Sequence, residues 1–214
     1  KEVAIDFINS RPDDRIGLVV FSGESFTQCP LTSNHAMLIN LFKEINFGMI
    51  DDGTAIGDGL ATAINRLKES KARSKVIILL TDGINNMGSI DPQSAAEMAE
   101  LYGIRIYTIG VGTMGSALFP VRTQYGMQYQ RMEVQIDEAL LKKISALTNG
   151  KYFRATNRQK LQEVYKEIDR LEKSKIDVTE FNRKKEEFMP FLIFALLLLT
   201  LELVFRFAVL KLVP

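Results

Sequence analysis

The chain has 214 residues, 46% of them hydrophobic, and a net charge of +1 from 27 basic and 26 acidic side chains; that is enough for one domain with a sizeable core plus an appendage. So even a balance leaves no electrostatic footprint for DNA or RNA and excludes a nucleic-acid binder. One cysteine, Cys29, and one histidine, His35, exclude a disulfide framework and a Cys/His zinc site within this chain.

The opening residues KEVAIDFINS set Val3, Ile5, Phe7 and Ile8 at helical spacing but carry no start signal. The expectation is a helix that continues from a segment upstream of Lys1. Arg15 to Ser22 (RIGLVVFS) is a short, continuously apolar run bounded by turn residues, the pattern of a strand buried on both faces. Ser25 to Leu31 (SFTQCPL) contains Pro30 and polar residues. It reads as a short edge strand able to run antiparallel, with Cys29 a small half-buried residue on it. Asn34 to Asn46 is a helix candidate with His35 at its exposed start, followed by a second helix over Ile56 to Ser70.

Lys75 to Thr81 (KVIILLT) and Arg105 to Val111 (RIYTIGV) repeat the buried-strand pattern, with a helix candidate at Pro92 to Tyr102 between them and another at Asp137 to Leu147. Strands alternating with helices of this length predict right-handed βαβ units and a mostly parallel, doubly wound, Rossmann-like sheet. Met114 to Met132 has no helical period and contains Gly115, Pro120 and Gly126. It is a long insertion or hairpin, and either a recognition surface or an irregular solvent loop.

Arg158 to Lys175 is a charged helix with Leu161, Val164, Tyr165, Ile168 and Leu171 on one face and opposite charges three or four residues apart, an ordinary solvated-face pattern. Pro190 to Leu212 is apolar enough in length to cross a bilayer, interrupted by Glu202, Arg206 and Lys211. Its 16 Leu, Ile, Phe and Val residues favour insertion by about 0.5 kcal/mol each, against a cost of about 3 each for Glu202 and Arg206 at full depth. One helical turn separates those two, so they can pair, and Arg206 and Lys211 can reach the headgroups. The expected organisation is a domain over residues 1–157, an amphipathic helix and charged linker over 158–187, and a transmembrane helix over 188–212.

The chemistry-bearing residues lie in two loops. Asp51-Asp52-Gly53-Thr54-Ala55-Ile56-Gly57-Asp58-Gly59 leads into a helix, and Leu80-Thr81-Asp82-Gly83 ends a strand. A doubly wound sheet brings both loops to the carboxyl ends of strands, where ligands bind. A hydroxyl from Thr54 and a carboxylate from Asp82 suit a hard divalent cation such as Mg2+. Each loop alone also reads as a plain helix cap or turn.

The runs GTAIGDGL, VIILLTDGINN, IYTIGVGT and KISALTNGKYFRAT, in this order, resemble the von Willebrand factor A (vWA) domains of bacterial membrane proteins of the aerotolerance BatA type. The resemblance implies a metal ion-dependent adhesion site (MIDAS) of three parts, with Thr54 and Asp82 as the second and third. The first part, an Asp-x-Ser-x-Ser loop after a central first strand, is absent from the 214 residues. The implied sheet lacks its middle strand, and three of five protein oxygens go with it, so the chain by itself is not expected to bind the ion. In such sites a partner's carboxylate fills an open position on the ion, which bridges two proteins.

The resemblance further implies partners among MoxR-type AAA+ ATPases and sister vWA proteins. It also implies an inner-membrane location with the vWA domain periplasmic, since relatives carry two upstream spans joined by a basic loop; Arg183, Lys184 and Lys185 before the apolar segment leave the charge rule nearly tied. No enzyme is expected. An Asp-x-Asp nucleophile loop of the haloacid-dehalogenase type and a Gly-x-Ser-x-Gly elbow are both absent. The competing expectation is a metal-independent structural scaffold.

Overall fold

A computed structural model of the chain describes residues 1–112, 115–123, 126–134, 136–183 and 189–204, with the backbone alone in 115–123, 126–134 and 174–183 and at 189 and 204. It divides into two units, Lys1–Glu172 and Lys173–Pro214.

The first unit begins with α1 (Glu2–Asn9), β1 (Ile16–Phe21), β2 (Ser25–Thr32), α2 (His35–Glu44), α3 (Ile56–Leu67), β3 (Lys75–Thr81), α4 (Pro92–Leu101) and β4 (Ile104–Val111). It continues through β5 (Gly115–Thr123), β6 (Gly126–Val134), α5 (Glu138–Leu147), β7 (Tyr152–Ala155) and the first part of α6 (Arg158–Arg183). Side chains cap α2, α4 and α5: Asn34 accepts from the Met37 amide at 3.0 Å, Asp91 from Ser94 at 2.9 Å and Asp137 from Leu140 at 2.9 Å. These are ordinary N-caps. α3 has none, because Ala55 stands at its cap position.

β3, β4 and β7 form a parallel sheet in that order. Its residues alternate between two helical layers, as the period of two in a strand requires. Ile77 and Leu79 of β3 and Ile104 and Ile106 of β4 pack with Ile56, Leu60 and Ile64 of α3, the alanines of α4, and Leu141 and Ile144 of α5. Val76, Ile78 and Leu80 face the other way, with Tyr107 and Ile109, onto Val164 and Ile168 of α6. The doubly wound expectation is met for this sheet, and the apolar face read for the charged helix is the one that packs.

β1 and β2 make a separate antiparallel pair, so the sheet is not one continuous parallel layer. Ile8, Leu38 and Cys29 form a small core beneath the pair, and Cys29 is 1% exposed rather than half-buried. Burial pushes the Cys29 thiol up from its ordinary range. His35 opens α2 with Nε2 2.9 Å from the Asp14 carbonyl. Phe21 at the end of β1 packs into the same core as Ile77 and Leu79 of β3, under α3. Among the described residues, however, no strand is hydrogen-bonded between β1 and β3, and each keeps one open edge.

Within the segment expected to be an insertion or hairpin, β5 and β6 pair antiparallel from Gly115 opposite Val134 to Thr123 opposite Gly126. The choice between a recognition surface and a solvent loop rests on side chains outside those described. β7 is a short strand that apolar patterning alone does not predict, since Arg154 interrupts its YFRA sequence.

α1 lies against α6 through Phe7 and Tyr165, whose ring centroids are 4.6 Å apart, and Arg11, just past α1, reaches Asp169 at 2.8 Å. Burial pushes the Tyr165 hydroxyl up to about 12. Further along α6, Glu172 is 4% exposed. Its carboxylate accepts from the Tyr107 hydroxyl at 2.6 Å, from Ser74 at 2.9 Å and from Arg105. Burial opposes its charge, but the bonds from Tyr107, Arg105 and Ser74 outweigh that and hold the carboxyl below the usual range. Ser74 precedes β3 and Arg105 is near the start of β4, so this cluster lies at the amino ends of the strands.

The second unit contains the rest of α6 and α7 (Met189–Val204). Along α7 the large apolar side chains from Phe191 to Leu203 are all exposed. No helix among the described residues is long and apolar enough to cross a membrane. The remainder of the expected span, including Arg206 and Lys211, lies outside the described residues.

Candidate functional site

The two loops singled out in the sequence meet at the carboxyl ends of β1 and β3. The Ala55 amide donates to the Ser22 carbonyl, just past β1, at 2.6 Å, and the Gly23 amide donates to the Asp51 carbonyl at 2.8 Å. The Ser22 hydroxyl adds a bond of 3.1 Å to the Gly53 carbonyl. Gly53 has φ of +143° and Met87 so close that a Cβ would lie 2.6 Å from its Cγ, which leaves only glycine comfortable there.

From the β3 side, Thr54 is held at both of its backbone groups. Its amide donates to Asn86 Oδ1 at 2.8 Å, and its carbonyl accepts from the Asn86 and Met87 amides at 3.1 and 3.3 Å. The Ile56 amide donates to Asn85 Oδ1 at 2.8 Å. Asn85 thus supplies from another loop the cap that Ala55 cannot give α3. In return, Asp58 in the first turn of α3 accepts from the Ser89 and Ile90 amides at 3.1 and 2.8 Å. The two loops are fastened reciprocally.

The Thr54 hydroxyl oxygen lies 2.9 Å from where a Cβ on Gly83 would stand. It is therefore beside the residue that follows Asp82. Asp82 itself is exposed and Thr54 half-buried. The structure brings the two predicted residues to one rim, with glycine at 83 making room for the hydroxyl. A neutral hydroxyl and a carboxylate are hard oxygen donors, which fits part of the shell of a cation such as Mg2+. They do not fill it: among the described residues no three His, Cys, Asp or Glu side chains converge on a common point. Thr54 and Asp82 would hold such an ion, which when bound would supply a positive centre for a carboxylate ligand.

Ser22, Asn85, Asn86 and Asp58 belong to the site's support and carry no assignment in the sequence reading. A signal for them exists, since a helix that starts after alanine with no capping side chain needs its amides satisfied from elsewhere.

Residues 1–167 match the von Willebrand factor type A domain. An uncharacterized protein of Borreliella burgdorferi is 26% identical over 212 residues, which is 99% of this chain and 62% of that protein. The chain thus spans about three-fifths of that relative's length. Among solved structures, the conserved hypothetical protein BatB from Bacteroides thetaiotaomicron is similar with a TM-score of 0.67 and 26% identity, covering 80% of this chain and 86% of that one. An aerotolerance-related membrane protein from Bacteroides fragilis follows with a TM-score of 0.64 and 27% identity, covering 79% and 86%.

Proposed function

The chain belongs to the von Willebrand factor type A domain family, and on that premise we propose that it is the greater part of a membrane-anchored, non-catalytic protein-binding module that recognises its partner through a divalent cation held at Thr54 and Asp82. The observation that carries this reading is the placement of the Thr54 hydroxyl against Gly83, the residue that follows the exposed Asp82, at the carboxyl ends of the strands. Such a rim is where open α/β sheets bind ligands.

The open edges of β1 and β3 support a further central strand between them, bringing the Asp-x-Ser-x-Ser loop that these residues lack. The cation would be Mg2+ or a similar hard ion, with the partner's carboxylate in its open position. The partners are a MoxR-type ATPase and sister vWA proteins, and the setting is the bacterial envelope, in line with the aerotolerance-related description of the Bacteroides fragilis protein. α7 is the anchor: a helix exposing leucine and phenylalanine on every side is at home in lipid, and the apolar sequence runs on to Leu212. In this reading the vWA domain lies on the periplasmic side.

The alternative is a scaffold that works without metal. The two readings separate in one experiment. Asp82→Ala in the full-length protein should abolish Mg2+-dependent capture of the MoxR-type ATPase with the fold retained, and EDTA should do the same to the wild type. Capture untouched by both would favour the scaffold.

A further inference from the structure

We infer that Asn86 and Asn85 are positioning residues for the cation site: they set where the Thr54 hydroxyl stands, although neither is a ligand. The inference rests on the reading of Thr54 and Asp82 as the metal-binding pair and adds the residues that hold that pair in register.

Thr54, Ala55 and Ile56 present three successive amides at the start of α3, a helix without a capping side chain of its own. Asn86 takes the first at 2.8 Å, Ser22 the second at 2.6 Å and Asn85 the third at 2.8 Å. Asn86 also returns its own amide to the Thr54 carbonyl at 3.1 Å. Thr54 is the residue gripped on both sides, and the residue that grips it is four positions from Asp82 on the same loop. The side chain that must meet Asp82 at the cation is therefore held by the loop that carries Asp82. Asp58 closes the arrangement by fixing the far end of that loop through Ser89 and Ile90. Sub-ångström placement of oxygens matters for a hard cation with strict geometry, and loss of such outer contacts costs metal sites about 10–100-fold in affinity.

The test uses the full-length protein in detergent, with Mn2+ alone as the probe. Asn86→Ala should lower Mn2+ affinity about 10–100-fold and speed hydrogen exchange at the Thr54 amide while leaving that of Ile56 slow. Asn85→Ala should reverse the exchange pattern. Asn86→Asp keeps an oxygen acceptor and should restore slow exchange at Thr54. Thr54→Ala and Asp82→Ala, measured alongside, report on the metal-binding reading itself. If both of these lose Mn2+ while Asn86→Ala binds within about twofold of wild type, the positioning role is overturned and the site stands. If Thr54→Ala binds Mn2+ as well as wild type, the site is wrong and the inference falls with it. General loosening, with Thr54 and Ile56 amides exchanging faster in each variant and no rescue by aspartate, would make the asparagines merely structural.

Discussion

Glu172→Ala is expected to destabilise the domain by about 3–5 kcal/mol, the range for removing one member of a buried ion pair. Glu172 is 4% exposed and receives Tyr107, Ser74 and Arg105 together, so its loss leaves a partly buried guanidinium and two hydroxyls without their acceptor. For a domain of this size, the thermal midpoint should drop by at least about 6 °C. The pH dependence has a definite sign. The folded-state carboxyl lies below its usual range, so its contribution is present above the unfolded value of about 4.3 and is lost as pH falls through the folded value. Thermal unfolding of wild type and Glu172→Gln should therefore differ at pH 7 and draw together as pH falls below about 4.3. A gap that persists unchanged to pH 3, or one under 1 kcal/mol at pH 7, would contradict this account of the cluster.

Gly57→Ala should be nearly as damaging, against the expectation from helix propensity alone. Alanine in place of glycine near the start of α3 would favour the helix by about 1 kcal/mol. A Cβ at this position, however, would lie 1.8 Å from the Ile90 carbonyl oxygen and 2.7 Å from its carbon. The obstacle is backbone and cannot rotate away. Relief requires moving α3 off the loop that Asp58 binds, breaking its 2.8 Å bond from the Ile90 amide. Overpacking typically costs about 1–3 kcal/mol, and an obstacle made of backbone puts this one at the upper end of that range, so the clash outweighs the propensity. Thermal unfolding of the full-length protein should show a lowered midpoint, and a raised one would mean that the close approach of α3 to Ile90 is misplaced.

Much of the architecture is legible in the sequence because its central strands are unambiguous: KVIILLT and RIYTIGV are too short and too apolar for surface helices, and the segments between them carry helical periodicity. The antiparallel edge was signalled by Pro30. What escaped was non-local. Glu172 looks like any other charge on α6, and only the fold brings it to Tyr107 and Arg105, which lie 65 and 67 residues away in sequence. Cys29 is buried by α1 and α2 residues that no pattern within SFTQCPL announces. β7 is four residues long and takes its pairing from β4 rather than from its own apolarity.

The candidate site divides the same way. Thr54 and Asp82 were accessible because hydroxyl and carboxylate donors at strand ends have a recognisable chemistry. Asn85 and Asn86 were not, because their task is to satisfy amides 29 and 32 residues upstream. The missing cap at Ala55 was the trace they left in the sequence.

The central claim, that Thr54 and Asp82 share one hard cation, is tested most directly by crystals of the full-length protein grown with Mn2+ and measured for anomalous scattering. The account predicts one peak at the carboxyl ends of β1 and β3, within about 2.5 Å of the Thr54 hydroxyl oxygen and bound to Asp82 directly or through one water. A saturated crystal with no peak there, or with Mn2+ bound only at other side chains, would contradict it.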